Sequence, residues 1–197
     1  VIQTAESAGY GLYRSASDDP VANYQEIFIN NWNKEVLFAR NIDRYGHHFR
    51  CSDPISLSGF SIFNPTQEMV DAYQMADGST PITGYTNNGL TPIINPESGY
   101  VEEGYVETAQ AGRWPAGVRN MFVNREPRFY ASINFPGQRW KNHTLAVWYE
   151  GVDGRSNAGS DYCKTGYLMR KAMNERNSWN PWQVEQNTWI MFRVAEM

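Results

Sequence analysis

Aliphatic side chains are scarce in this chain. Leu, Ile and Val together number 29 in 197 residues, against 28 aromatics, and Leu alone numbers six. A conventional helical bundle needs long aliphatic stripes, so that architecture is excluded as the whole fold. The same scarcity at high net charge would signal disorder, but the net charge is only −4 and the aromatics supply the missing apolar area. The core must therefore be built from Phe, Tyr and Trp, whose polar tips need partners when buried. Eighteen Asn residues add turn-forming capacity. Aromatics with Asn suit carbohydrate binding and suit a loop-rich fold equally well.

Both signs of charge are spread along the chain, with no basic block, so nucleic acid is not an expected partner. No apolar run approaches the length of a membrane span. The first residues, VIQTAESAGYGLYRSASDD, lack the basic start and apolar stretch of a signal peptide. The expectation is that a signal was removed or that the chain begins inside a longer protein. Cys51 and Cys163 lie far apart in sequence, and either a disulfide or two buried thiols is compatible with that spacing.

Along the chain, residues 1–12 fit a short helix closed by Gly9 and Gly11. In DDPVANYQEIFINN, Asp18 or Asp19 caps a helix with Pro20 at its first position, and Val21, Tyr24, Ile27 and Phe28 share a face. Residues 35–42 read as a strand or a helical turn, and 45–64 as a long loop. Thr66 caps a helix that carries Met69, Val70 and Tyr73 on one face and ends at Gly78. Residues 79–119 read as irregular loops. Residues 129–135 alternate as a strand, with HTLAVWYEG as its partner; GYLMRKAMNE reads as a short helix, and NTWIMFRVAEM as a helix that runs out at the chain end.

Candidate chemistry is sparse. Glu97, Glu102, Glu103 and Glu107 crowd one segment, as a glycosidase pair would require, but a solvated acidic loop is the simpler reading. No HExxH, GxSxG, Walker or GxGxxG motif occurs. The segment DGRSNAGSD offers oxygen ligands at Asp153, Ser156, Asn157 and Asp161, yet Arg155 stands where a calcium loop wants an oxygen donor. No cofactor is expected, with structural calcium at this loop as a secondary reading. In VNREPRFYASINF, Arg125, Glu126 and Arg128 surround Pro127 with no nucleophile or phosphate loop nearby. They read as a structural clamp on backbone carbonyls and a carboxylate.

Five segments, in order, resemble the SusD/RagB family of surface glycan-binding lipoproteins of Bacteroidetes outer membranes. These are YGLYRSASDDPVANYQEIF, NPTQEMVDAYQMADG, NREPRFYASI, TGYLMRKAM and WIMFRVAEM, with Tyr73 standing where the family has Phe and Val194 where Tyr is usual. The resemblance implies a mainly α fold with extensive irregular loops and a short β-hairpin: a tetratricopeptide-type helical scaffold, incomplete in this chain, carrying a loop-rich part. Residues 1–40 would end the scaffold, 41–187 would form the loop-rich ligand-binding part, and 188–197 would begin a further scaffold helix. It implies no catalysis. The implied partners are an oligosaccharide or polysaccharide and a SusC-like TonB-dependent transporter, with the membrane met only through a lipid anchor outside this chain. Peptide binding is the alternative within the family, and a carbohydrate-active enzyme the alternative outside it. Aromatic faces stack on sugar rings, so Tyr45, His47, His48, Trp114, Trp140 and Tyr149 are the expected ligand-binding residues, with Trp179 and Trp182 next.

Overall fold

The computed structural model describes residues 2–42, 46–157, 159–185 and 187–197. Among them are five α-helices, the longest of ten residues, and eight short strands in two-stranded ladders. The chain is thus loop-rich as expected, but the mainly α expectation is corrected. Among the described residues no helix is long and apolar enough to cross a membrane.

The caps set the legible helices. After α1 (Ile2–Ser7), α2 (Pro20–Ile29) starts where Asp19 accepts from the Val21 N–H and Pro20 fills the first turn. Val21 and Ile27 turn inward, and α2 packs on α5 (Pro127–Ser132). The segment read as a long loop instead holds α3 (His47–Ser52) and a 3-10 turn at Ile55–Leu57. Thr66 caps α4 (Gln67–Asp71) by accepting from Met69 N–H at 3.3 Å. That helix stops well short of Gly78. The chain beyond it zips to residues 124–126: Ala76 N–H donates to Asn124 O, and Glu126 N–H to Gln74 O.

Five further expectations are overturned. Residues 129–135 are mostly helix: α5 runs into a two-residue strand, β4 (Ile133–Asn134). Pro127 presets the first helical turn. Phe129, Tyr130, Ala131 and Ser132 are all buried, so with every face covered the alternating pattern carried no strand information. HTLAVWYEG does not pair with this segment. Its start, β6 (His143–Thr144), pairs with β5 (Arg139–Trp140), while β4 pairs with β7 (Leu168–Met169) in the segment expected to be helical. The C-terminal segment is also a strand, not the start of a helix: β8 (Asn187–Arg193) runs antiparallel to β1 (Val36–Ile42). Its Thr, Trp, Ile and Phe content favours a pleated ribbon. Finally, β2 (Ile82–Thr86) and β3 (Thr91–Ile94) form a hairpin in the region read as irregular. Asn87, Asn88 and Gly89 turn it with positive φ, a conformation those residue types tolerate.

Two apolar clusters result. The larger gathers Phe122, Phe129, Tyr130, Phe135 and Tyr167 with Val70, Met121 and Ile133; Phe122 and Phe135 stack at 4.6 Å between centroids. The smaller gathers Phe49, Trp140, Leu145, Cys163, Leu168 and Met173. Cys51 and Cys163 are buried thiols not joined to each other.

Candidate functional site

The charged stretch around Pro127 lies inside the larger cluster. Arg125 is 2% exposed. Its guanidinium donates to Val70 O and Tyr73 O, both at 2.7 Å, and to Met121 O at 3.1 Å. Val70 and Tyr73 lie at the carboxyl end of α4, where carbonyls lack helical partners and a cation is favoured. Phe129 and Tyr100 rings flank the guanidinium at 5.1 and 5.5 Å. The Arg125 N–H donates to the Tyr130 hydroxyl, which donates to Phe122 O. Glu126 accepts from Gln74 N–H and pairs with Arg128, which raises the Arg128 pKa. These contacts tie α4 and the segment after it to residues 121–130, and none of Arg125, Glu126 and Arg128 lines the cavities described below.

The exposed aromatics stand elsewhere. Trp148 and Tyr149 are 53% and 66% exposed on a closed loop over residues 146–157. Asp153, fully buried, anchors that loop. One carboxylate oxygen accepts from Ser56 N–H at 3.1 Å; the other accepts from Ala146 N–H at 3.2 Å and meets His143 Nε2 at 2.8 Å. Tyr149 O accepts from both Ser156 N–H and Ser156 Oγ–H, and Asn157 Nδ2 donates to Gly151 O at 2.9 Å. Gly151 and Gly154 permit the tight closure, since a Cβ would sit 1.9 Å from Ala146 O and 1.8 Å from Trp148 O, respectively. Two aromatics adjacent in sequence are therefore exposed on a loop tied across its neck by Asp153, Ser156 and Asn157. Tyr149 was expected from the sequence. Trp148 was not, although it adjoins Tyr149 in the same stretch. Of the residues considered for calcium, Asp153, Ser156 and Asn157 tie the loop, Asn157 through its amide nitrogen, while one Asp161 oxygen accepts from Ser160. Among the described residues no group of three or more His, Cys, Asp or Glu side chains is placed to hold a metal.

The remaining candidates scatter. Trp140 is corrected to a core residue: it is 1% exposed, and its Nε1–H donates to Asp53 at 2.8 Å. Trp114 is nearly buried on Tyr130 but lines a cavity of about 300 Å³ with Gln138, Arg139 and Arg170. His48 sits in a separate apolar groove of about 610 Å³ with Ile62, Phe63, Met69 and Trp189, and burial lowers its pKa. Tyr45 and the His47 side chain lie outside the described residues. Trp182 is exposed beside Trp179, whose ring covers Arg50 at 3.8 Å.

Two arrangements bear on catalysis. Ser56, His143 and Asp153 touch, but both contacts fall on the same His143 nitrogen, so Asp153 does not orient the ring from its far side as a nucleophile triad requires. Glu26 and Glu175 line one cavity of about 360 Å³. Glu26 accepts from the Tyr13 hydroxyl and Asn30, and Glu175 is paired with Arg170. Glu97, Glu103 and Glu107 are exposed on the surface.

With this geometry in view, the comparisons define the class. A sequence model of the SusD family matches residues 15–197. The chain belongs to the SusD family. The fold agrees: a SusD-like protein from Bacteroides fragilis superimposes with a TM-score of 0.62 at 23% identity, covering 100% of this chain and 37% of that one. A SusD-like carbohydrate binding protein from the same organism gives 0.63 at 19% identity, covering 99% of this chain and 33% of that one. The chain thus spans about a third of the length of these solved structures. No curated protein matches it at a significant level.

Proposed function

We propose that this chain carries the loop-rich part of a non-catalytic cell-surface glycan-binding protein that hands oligosaccharides to a SusC-type TonB-dependent transporter, with a lipid anchor elsewhere in the longer protein. In this reading residues 41–187 hold the ligand-binding part. The observation that carries it is Trp148 and Tyr149, adjacent in sequence and both exposed on a loop closed by Asp153, Gly151 and Gly154. An exposed aromatic face stacks on the apolar side of a pyranose, and a rigid loop has little ordering entropy to lose on binding. Family membership and a solved neighbour described as carbohydrate binding support the same reading.

The test is an oligosaccharide panel read by calorimetry, with Trp148→Ala and Tyr149→Ala. Each substitution is expected to weaken binding about tenfold, at the scale of about 1.4 kcal/mol, with melting unchanged. A panel that shows no binding to the full-length protein, or a double variant with unaltered binding and uptake, overturns the reading. The apolar groove beside Trp189 supports a second reading, a peptide-binding member of the family; retention of peptides with no oligosaccharide binding selects it. Reducing-sugar release that disappears in Glu26→Gln or Glu175→Gln selects an enzyme instead.

A further inference from the structure

The cavity beside Trp114 has a chemistry that the aromatic loop lacks. Arg113, Arg139 and Arg170 line it, together with Gln110 and Gln138, and no acidic residue does. This runs against the composition of the chain, in which 21 acidic residues outnumber 17 basic ones. The walls are built. Gln110 and Trp114 close a turn on each other, with Gln110 N–H donating to Trp114 O at 2.8 Å and Trp114 N–H to Gln110 O at 3.0 Å. Trp114 is fixed further by its Nε1–H on Thr108 O at 3.2 Å and by contact with the Tyr130 ring. The Gln138 side-chain oxygen accepts from Phe135 N–H at 3.3 Å, and its NH2 group has no hydrogen bond among the described residues.

The three guanidiniums differ in what already holds them. Arg113 is forked onto Asp19, with both contacts at 3.0 Å. Arg170 is 14% exposed in its side chain and has one ion pair among the described residues, to the half-exposed Glu175 at 3.2 Å; burial lowers its pKa. An anion entering the cavity would relieve that cost, because burial penalises the cation only while it is under-compensated. The Arg139 side chain is exposed and makes no hydrogen bond or ion pair among the described residues, its backbone being paired with Thr144. Two cations are thus braced by acids outside the cavity, and a third is uncommitted at its mouth. Planar guanidinium forks match the spacing of carboxylate and sulfate oxygens.

We propose that this cavity is a subsite for an acidic sugar, gripping the carboxylate of a uronic acid or a sulfate ester through Arg139, with Arg170 and the Gln138 amide behind it and Trp114 as the apolar wall. The sugar identity rests on the glycan-binding reading; the preference for an oxyanion rests on the cavity alone. The preference should weaken with salt, because Arg139 is solvent-exposed.

The experiment is calorimetric titration of the protein with an oligogalacturonate, its methyl ester, a sulfated oligosaccharide and a neutral oligomer, repeated on Arg139→Gln and Trp148→Ala. The oligogalacturonate or the sulfated ligand should bind about tenfold more tightly than its uncharged counterpart, and Arg139→Gln should abolish that ratio without touching the affinity for the ester. Whichever acidic ligand shows the ratio identifies the oxyanion. If uncharged and acidic ligands bind equally, or if Arg139→Gln leaves the ratio intact, the acidic subsite is overturned while the glycan reading stands. If none of the four binds, both fall together. Melting of Arg139→Gln should match the parent, which separates a lost contact from a lost fold.

Discussion

Arg125 and Asp53 are both buried charges, each beside one of the two apolar clusters, and the fold stabilises them in opposite ways. Arg125 has no carboxylate contact among the described residues; its guanidinium rests on the carbonyls of Val70, Tyr73 and Met121 between aromatic rings. Asp53 pairs with Lys141 at 2.6 Å and accepts from Trp140 Nε1–H, and Lys141 also donates to Asn177 O at 2.8 Å. Main-chain dipoles do not titrate, so the partners of Arg125 are fixed, although burial lowers the pKa of the guanidinium itself. The Asp53 node does titrate. Burial raises the Asp53 pKa above its ordinary 3.8, with Lys141 and Trp140 opposing incompletely. The larger cluster is thus tied together by a fixed strut, and the smaller by a pair whose strength depends on a proton.

The sharpest break of this contrast is Arg125→Ala. It strips three carbonyls of their donor in a dry site, and the expected loss is about 3–5 kcal/mol in urea unfolding; glycan affinity should survive in whatever protein stays folded. Normal melting with lost binding would reverse the assignment of this stretch to the scaffold. Gly59→Ala comes next. A Cβ there would lie 2.0 Å from Asp53 O, and displacing that backbone should cost about 1–3 kcal/mol, lowering stability at every pH.

The pH dependence is smaller and more specific. A carboxyl whose folded pKa is raised contributes stability that is full below the unfolded value near 3.8 and is lost as pH rises through the folded value. The melting temperature of the parent should therefore fall relative to Asp53→Asn across that window. Parallel curves for the two proteins would show that Asp53 does not carry the effect. Smallest of all, Trp148→Ala should move stability by no more than about 0.5 kcal/mol, because its ring is half in solvent. A larger shift would mean that the ring braces the loop as well as facing outward.

Signals that act within one turn of chain were legible. Asp19 with Pro20, and Thr66 ahead of α4, start helices where their residue types say they should. The Asn87-Asn88-Gly89 turn is an equally local signal, hidden in a stretch dense with Gly and Pro. Where the reading failed, the deciding partner was distant in sequence. Residues 187–193 are a strand because residues 36–42 lie beside them. Residues 129–132 are helix with every face covered, so their spacing could not reveal a period. Among the expected aromatics, Tyr149 is exposed and Trp140 is core. Nothing within their own segments distinguishes a Trp bonded to Asp53, 87 positions away, from one that faces solvent.

The sequence by itself determined the family, an aromatic core in place of an aliphatic one, and the first turns of the capped helices. These depend on residue type and short spacing, which the chain carries wherever it folds. Only the tertiary structure decided which aromatics became core and which became surface, that Arg125 would meet carbonyls instead of an acid, and that three arginines would share one cavity. Each of those outcomes needs two or more segments brought together from far along the chain, and burial is a property of the contact between segments, absent from any one of them.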